Sequence, residues 1–332
     1  MKIVSALYQL ADFVRRRIEC RVAPREWMVE TTNRCNLACA TCPRQAVNVP
    51  AQDMSLEFFE DVLDRHPDVE AVWPYGLGEP LLNPQIFGFI RHAKRLGKIV
   101  SLSSNGTLLD SQRAEQLLDS GLDYIVLPVY GATSEKPEDK PYPSRFRDLE
   151  TRIEAFLKRK LARGSRLHVT IQTIEQRNDP LKIRQFRQRW KQMGVDSIRV
   201  KDDLSGQASR SAGPSRHKPD ATRPCFFLWR GPLFVQAGGT IIPCPYYHGA
   251  GPFGDLRRQT ALEAWNSKPM QQLREAHLNG DLSQYPACAN CPRHQPHRLL
   301  ASLGFFVTTR HIRRIFPKLE DVQRRLGWKL FE

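Results

Sequence analysis

Residues 27–43 read Trp27-Met-Val-Glu-Thr-Thr-Asn-Arg-Cys35-Asn-Leu-Ala-Cys39-Ala-Thr-Cys42-Pro43. A short apolar run, Trp27–Thr31, leads straight into three cysteines spaced C-x3-C-x2-C. A strand that ends in a polar, cysteine-bearing loop puts that loop at the C-terminal edge of a sheet, where α/β folds carry their chemistry. No histidine stands near the trio to complete a tetrahedral zinc site. Three thiolates suit a cubane cluster whose fourth iron is left open to a small chelating molecule.

Outward from that stretch, five further apolar runs follow at Ala71–Tyr75, Ile99–Ser103, Tyr124–Val129, His168–Thr173 and Ser197–Lys201. They alternate with segments of helical periodicity at Ser55–Arg65, Pro84–Leu96, Ser111–Ser120, Asp148–Arg163 and Pro180–Met193. Ser55 and Asp110 stand where N-caps belong, and Gly97, Gly121 and Gly194 where left-handed C-caps belong. Such alternation predicts a parallel sheet with right-handed crossovers, open or curled into a partial barrel. The second run leads into Gly76-Leu-Gly78-Glu79-Pro80, and the third into Ser104-Asn105-Gly106-Thr107. Three polar, glycine-bearing loops thus fall on one rim of the sheet.

The remaining cysteines are Cys20, Cys225, Cys244 and the pair Cys288-Ala-Asn-Cys291. In a reducing compartment such a set reads as metal ligands rather than disulfides, and by pattern alone a four-thiolate zinc site stays open for the last four. Residues 205–220 are rich in Ser, Gly, Pro and basic residues and read as a linker. Phe234–Gln236 and Thr240–Ile242 around Gly238-Gly239 read as a hairpin, followed by a helix over Ala261–Leu278. This small segment is expected to depend on its metal centre for stability.

The 332 residues hold 50 Lys and Arg against 35 Asp and Glu, a formal net charge of +15. With 41% hydrophobic residues the chain is neither disordered nor coiled coil, and its longest apolar run, Leu299–Val307, is too short to span a bilayer. Ile3, Leu7, Leu10, Val14 and Ile18 recur at helical spacing, and Arg15–Arg17 stand where a signal-peptide cleavage site would need small residues, so a cytoplasmic location is expected. Residues 1–25 and 299–332 each carry a net charge of +4. Such basic, amphipathic ends would suit peripheral docking to a membrane or an acidic protein; the reading preferred is two terminal helices packed on the barrel with a solvated basic face. Nucleic-acid binding is not expected, because the aromatics do not interleave with the basic residues in a recognised motif.

The cysteine loop, the Gly-Glu-Pro and the Ser-Asn-Gly-Thr together resemble the radical S-adenosylmethionine (radical SAM) superfamily. The region from Cys225 resembles that superfamily's SPASM or twitch extension, on Cys225 with Trp229, Gly238-Gly239-Thr-Ile-Ile-Pro-Cys244, Gly254-Asp-Leu, Glu263-Ala-Trp265-Asn266 and Cys288-Ala-Asn-Cys291. The resemblance implies a partial (β/α)6 TIM-like barrel with a small C-terminal iron–sulfur-binding domain. The divisions expected are 1–25, an N-terminal helix; 26–204, the core; 205–220, the linker; 221–298, the auxiliary domain; and 299–332, basic helices.

It further implies a [4Fe–4S] cluster on Cys35, Cys39 and Cys42 that chelates S-adenosylmethionine, and an auxiliary [4Fe–4S] cluster on Cys225, Cys244, Cys288 and Cys291. Gly78 and Glu79 would offer backbone oxygen to the methionine ammonium, with Pro80 completing that loop. Ser104, Asn105, Gly106, Thr107 and Gln172 would line the ribose and carboxylate, and Thr41 would lie by the adenine. Two departures stand out: Thr41 is smaller than the usual residue, and Pro128-Val-Tyr130-Gly131 replaces a Ser-x-Asp-Gly-like turn. Tyr130, Glu175 and Asp202, all just past strands on the same rim, are the candidate catalytic groups. Asp203 shares the case made for Asp202, whereas Cys20 reads as a buried spectator thiol.

A closed auxiliary cluster favours net two-electron oxidation, and a small sugar-like or nucleotide-linked substrate is the first expectation. A peptide-modifying enzyme is the alternative, its substrate brought by a separate carrier; a non-catalytic iron–sulfur or zinc module is the alternative of another class. An external one-electron reductant such as a flavodoxin or ferredoxin is implied.

Overall fold

The computed structural model describes residues 2–39, 42, 44, 50–129, 146–175, 180–202, 222–247, 251–291 and 298–315. Thr41, Tyr130, Asp203 and the expected linker lie outside them. Six parallel strands, β1 (Glu26–Val29), β2 (Ala71–Trp73), β3 (Ile99–Ser103), β4 (Tyr124–Pro128), β5 (His168–Glu175) and β6 (Ser197–Asp202), stand side by side in chain order. Between them run α2 (Leu56–Asp64), α3 (Ile86–Arg95), α4 (Ser111–Asp119), α5 (Phe146–Ala162) and α6 (Pro180–Gln192).

The elements begin and end where local chemistry asks. Ser55 accepts the Phe58 amide at 3.2 Å and Asp110 accepts the Arg113 amide at 2.7 Å, satisfying helix N–H groups that have no partner within the helix. Gly97, Gly121 and Gly194 close three helices at φ of +70°, +78° and +81°.

Alternate strand residues divide two environments. Val72, Val100, Leu102, Ile125 and Val169 pack outward against the helices in one large core, built around Trp27, Phe59, Phe89, Phe156 and Trp190. Met28, Trp73, Phe234 and Ile242 form a separate small cluster on the other face, inside the curl of the sheet.

The expected hairpin is present as β7 (Leu233–Val235) and β8 (Thr240–Ile242), antiparallel, with β9 (Gly254–Asp255) beyond. It does not stand apart from the main sheet. β7 pairs in parallel with β1, Trp27 opposite Leu233, so one nine-stranded sheet runs β6-β5-β4-β3-β2-β1-β7-β8-β9. The helix expected over Ala261–Leu278 is two, Ala261–Trp265 and Lys268–Asn279, because Ser267 caps a new start by accepting the Met270 amide at 3.4 Å, with Pro269 in its first turn.

The N-terminal helix α1 (Lys2–Val14) packs on a face other than its periodic apolar stripe. Ile3, Leu7 and Val14 are 69%, 49% and 50% exposed, whereas Ala6, Gln9, Asp12 and Phe13 are buried. Polar anchors decide the orientation: Asp12 accepts from the Arg21 backbone and guanidinium at 2.9 and 2.7 Å, and Gln9 donates to the Arg230 carbonyl at 3.3 Å. At the other end, the described basic residues are not all on a solvated face, since Arg313 is buried. No helix among the described residues is long and apolar enough to cross a membrane.

Candidate active site

The chain leaving β1 and the chain returning to α2 are stitched together, which makes the cysteine loop a closed excursion. The Met54 amide donates to the Thr31 carbonyl at 3.0 Å, Asn33 pairs with the Pro50 carbonyl and the Gln52 amide, both at 2.7 Å, and the Thr32 hydroxyl donates to Asp53 at 2.6 Å. Arg34 forks onto Asp53 from the loop's first turn. Within the loop the Cys42 amide donates to the Cys39 carbonyl at 3.0 Å, a turn that gathers the last two thiols. All three cysteines are half-buried.

Gly78 lies against this loop with no room for a side chain. A Cβ there would come within 2.7 Å of the Arg34 carbonyl oxygen and closer still to that of Thr32. The next residue, Glu79, ties the second loop to the third. Its backbone amide donates to the Arg34 carbonyl at 2.8 Å, and its buried carboxylate accepts from the Leu81 amide at 3.0 Å, the Ser104 hydroxyl at 2.8 Å and the Asn105 amide at 2.7 Å. Burial pushes its pKa above the usual carboxylate range, while these three donors pull it back. Pro80 opens the short 3-10 turn Pro80–Leu82 that follows.

From Asn105 a hydrogen-bonded chain reaches the cysteine loop. Its side-chain amide donates to Asn36 Oδ1 at 2.9 Å and stands 4.0 Å from Cys35 Sγ; Asn36 donates in turn to Thr107 Oγ1 at 2.8 Å, and Thr107 Oγ1 back to Asn105 Oδ1 at 2.7 Å. Burial raises the Cys35 pKa first, and the charges of Glu79 and Cys42 raise it further. Gly106, at φ +73°, turns the loop where a Cβ would strike Leu149.

Gln172 is buried on β5 between Pro128 of β4 and Arg199 of β6. Glu175 and Asp202 are register partners at the ends of β5 and β6. Their side chains, like Thr41 and Tyr130, lie outside the described residues.

Two rim groups were not anticipated. Asn36 bridges two loops, and Glu30, buried at the end of β1, holds the Leu77 amide at 3.0 Å and the Ala237 amide at 3.4 Å. Glu30 thereby joins the loop after β2 to the turn between β7 and β8. Its signal in the sequence is the acidic residue in the alternation Glu26, Met28, Glu30, a polar position facing the inside of the sheet.

Four of the other five cysteines come together beyond β8. Cys225 opens the turn Phe227–Arg230, Cys244 follows β8, and Cys288 and Cys291 flank a tight turn closed by the Cys291 amide on the Cys288 carbonyl at 3.1 Å. Burial pushes the Cys225 thiol well up, and Cys244, Cys291 and Cys288 each push it further; Cys288 is raised by burial, then by Cys244 and Cys291. Among the described residues no three His, Cys, Asp or Glu form a group that could hold a single metal ion. Four thiols that oppose one another's ionisation fit a bound cationic iron–sulfur core, which would let all four serve as thiolates at once. The trio on the rim fits a cluster with one open position in the same way, on donor chemistry alone. Cys20 is buried away from both, with its pKa raised to about 11 chiefly by burial.

Comparison with known proteins gives these observations a family. Residues 29–156 match the radical SAM superfamily, and residues 225–292 match the SPASM iron–sulfur cluster-binding domain. The tungsten-containing aldehyde ferredoxin oxidoreductase cofactor-modifying protein of Pyrococcus furiosus is 32% identical over 29% of this chain, and the match covers 28% of its length. A PqqA peptide cyclase of Gluconobacter oxydans is 23% identical over 74% of this chain and 78% of its own. Among solved structures, BtrN in complex with AdoMet and 2-DOIA superposes with a TM-score of 0.53 over 83% of this chain and 97% of that one, at 13% identity, a likeness of fold. The chain belongs to the radical SAM superfamily, carries a C-terminal SPASM-type domain, and takes S-adenosylmethionine and [4Fe–4S] clusters as its cofactors.

Proposed function

We propose that this chain is a radical SAM oxidoreductase that modifies a peptide. The observation that carries the radical chemistry is the rim itself, where Glu79 and Asn105 lock the second and third loops onto the cysteine loop. Cys35, Cys39 and Cys42 are assigned to the cluster that binds S-adenosylmethionine. With both bound, the reduced cluster would supply one electron for reductive cleavage of a C–S bond of the sulfonium, and with it the means to take hydrogen from the substrate.

The chain's own residues position the reactants. Gly78 lets backbone approach the cysteine loop; Glu79, Pro80, Ser104, Asn105, Gly106 and Thr107 hold the pocket wall; Gln172 and Thr41 are assigned to its far side. Tyr130, Glu175 and Asp202 are assigned to the substrate side of the rim. Cys225, Cys244, Cys288 and Cys291 are assigned to the auxiliary cluster, whose four thiolates leave no open iron, an arrangement suited to accepting the electron that completes a two-electron oxidation.

The peptide reading is supported by the relative that matches three quarters of this chain, a PqqA peptide cyclase. The first expectation, a small sugar-like substrate, rested on charge and on product chemistry, and the long match shifts the weight to a peptide. A flavodoxin or ferredoxin is the proposed electron source. The test is anaerobic reconstitution with dithionite. About eight irons per chain and 5′-deoxyadenosine are expected from the wild type, and no 5′-deoxyadenosine from Cys35→Ala. Cys244→Ser is expected to keep about four irons and the cleavage, but to form no oxidised product. A wild-type chain that holds the irons and leaves S-adenosylmethionine intact sinks the reading.

A further inference from the structure

The inside of the curled sheet is not empty at its lower end. The segment after the helix Arg298–Gly304 turns into it and is pinned to Glu26, the first residue of β1, and to Trp73, the last of β2. Thr309, fully buried, donates its amide and its hydroxyl to Glu26 Oε1, both at 2.6 Å, and accepts from Trp73 Nε1 at 3.0 Å. Arg230 grips the same place, with one nitrogen 2.7 Å from Glu26 Oε2 and another 2.9 Å from the Gly304 carbonyl. Ile312 then packs on the small inner cluster of Met28, Trp73, Phe234 and Ile242.

One turn on from Thr309, Arg313 rises toward the rim. It is 6% exposed; its Nε donates to the Ser101 hydroxyl at 2.9 Å, one terminal nitrogen donates to the Tyr75 hydroxyl at 2.9 Å, and the guanidinium lies 5.6 Å over the Trp73 ring. Ser101 lies two residues before Ser103, the last residue of β3, which leads into Ser104, and Tyr75 directly precedes Gly76–Glu79. The cation therefore stands about one side-chain layer, roughly 6–7 Å along the strand, beneath the loops assigned to S-adenosylmethionine.

Its surroundings are unusual for a buried arginine. Arg230 has Glu26 as its counter-charge, whereas no carboxylate among the described residues pairs with Arg313. Among the described residues its partners are two neutral hydroxyls and a ring, which fix the fork without neutralising it. A buried charge without a counter-ion is costly, and the described residues hold this fork at Nε and one terminal nitrogen, leaving the other terminal nitrogen for an anion. Beside it Arg314 is exposed, with its guanidinium 5.8 Å over the Tyr124 ring on β4, so the same inner surface carries a second cation.

We propose that the C-terminal segment forms the floor of the substrate cavity and that Arg313 binds a carboxylate of the substrate there, with Arg314 as a second positive group. The inference rests on the rim being the radical site and narrows the substrate to a peptide presenting an acidic side chain or a C-terminal carboxylate.

The test uses the reconstituted full chain and acetate as the probe, followed by saturation-transfer NMR at constant ionic strength against chloride. Saturable acetate binding is expected in the wild type and in Thr309→Val, which loosens the segment and leaves the cation. Arg313→Gln is expected to weaken it at least about tenfold, the loss expected for a single charge-assisted hydrogen bond. Arg313→Lys, which keeps the charge and loses the fork, is expected to weaken it severalfold and stands in if the Gln variant does not fold. Saturating S-adenosylmethionine should leave acetate bound. The proposal is overturned by no saturable binding in the wild type, by equal affinity in the Arg313 variants, or by displacement of acetate by S-adenosylmethionine, which would assign the site to the cofactor's own carboxylate. Acetate binding needs no turnover, so a chain that binds it through Arg313 but makes no 5′-deoxyadenosine would sink the radical reading and leave the anion site standing.

Discussion

Replacing Glu79 with alanine should unlock the rim. The carboxylate accepts three hydrogen bonds of 2.7–3.0 Å from Asn105, Ser104 and Leu81 in a fully buried setting, and alanine supplies no acceptor for any of them. The Ser104 hydroxyl can rotate to a new partner; the two backbone amides cannot. At about 1–3 kcal/mol for each orphaned buried donor, Glu79→Ala is expected to cost roughly 3–5 kcal/mol. Glutamine keeps an oxygen for Leu81 and Ser104 and turns an amide group toward the Asn105 N–H, losing one bond while sparing the desolvation of a charge, so about 1 kcal/mol is expected. The order in urea should be wild type, Glu79→Gln, Glu79→Ala. Hydrogen exchange at the Asn105 amide should accelerate in the same order, and because Asn105 also braces Asn36 beside Cys35, cleavage of S-adenosylmethionine should fall in parallel. An alanine variant with wild-type exchange at Asn105 and wild-type 5′-deoxyadenosine yield would refute the account of Glu79 as the tie between loops.

Three further outcomes are expected. Gly78→Ala should abolish S-adenosylmethionine binding, measured by equilibrium dialysis, since its methyl group would overlap the carbonyls of Thr32 and Arg34. Glu26→Gln leaves Arg230 buried without a counter-charge, a loss of about 3–5 kcal/mol, and trypsin should then cut at Arg310–Arg314 far faster than in the wild type. The His277 ring, held by burial to a pKa of about 4 against an ordinary 6.5, charges more readily in the unfolded chain. Stability should therefore fall as pH drops from 6.5 toward 4, by roughly 2–3 kcal/mol, and His277→Leu should flatten that part of the urea midpoint against pH; an unchanged slope counts against it.

The six parallel strands were legible to within two residues at each end because each is an apolar run bounded by a helix cap or a glycine. The rim motifs were legible for a related reason, since loops after parallel strands share one edge. What escaped was set by partners distant in the chain. The pairing of β7 with β1 joins residues about two hundred positions apart, and nothing local to Leu233–Val235 announces it. The packed face of α1 was decided by Asp12 with Arg21 and by Gln9 with the Arg230 carbonyl, contacts that hydrophobic periodicity does not weigh. Beside the backbone oxygen expected of Glu79, its carboxylate ties the loops together, a role readable only once Ser104 and Asn105 stand beside it. Arg313 read as one more surface cation until Ser101 and Tyr75 were seen to hold it.

The parallel pairing of β7 with β1 also bears on how the protein can be cut. Without the residues after the expected linker, β1 would end the sheet with its outward N–H and C=O groups unpaired, beside the apolar surface that Phe234 and Ile242 now cover. A strand in that condition is a template for another chain. A fragment ending before residue 222 should accordingly assemble edge to edge rather than persist as a monomeric barrel, and a recombinant swap of auxiliary domains would have to bring its own strand to fill the seam.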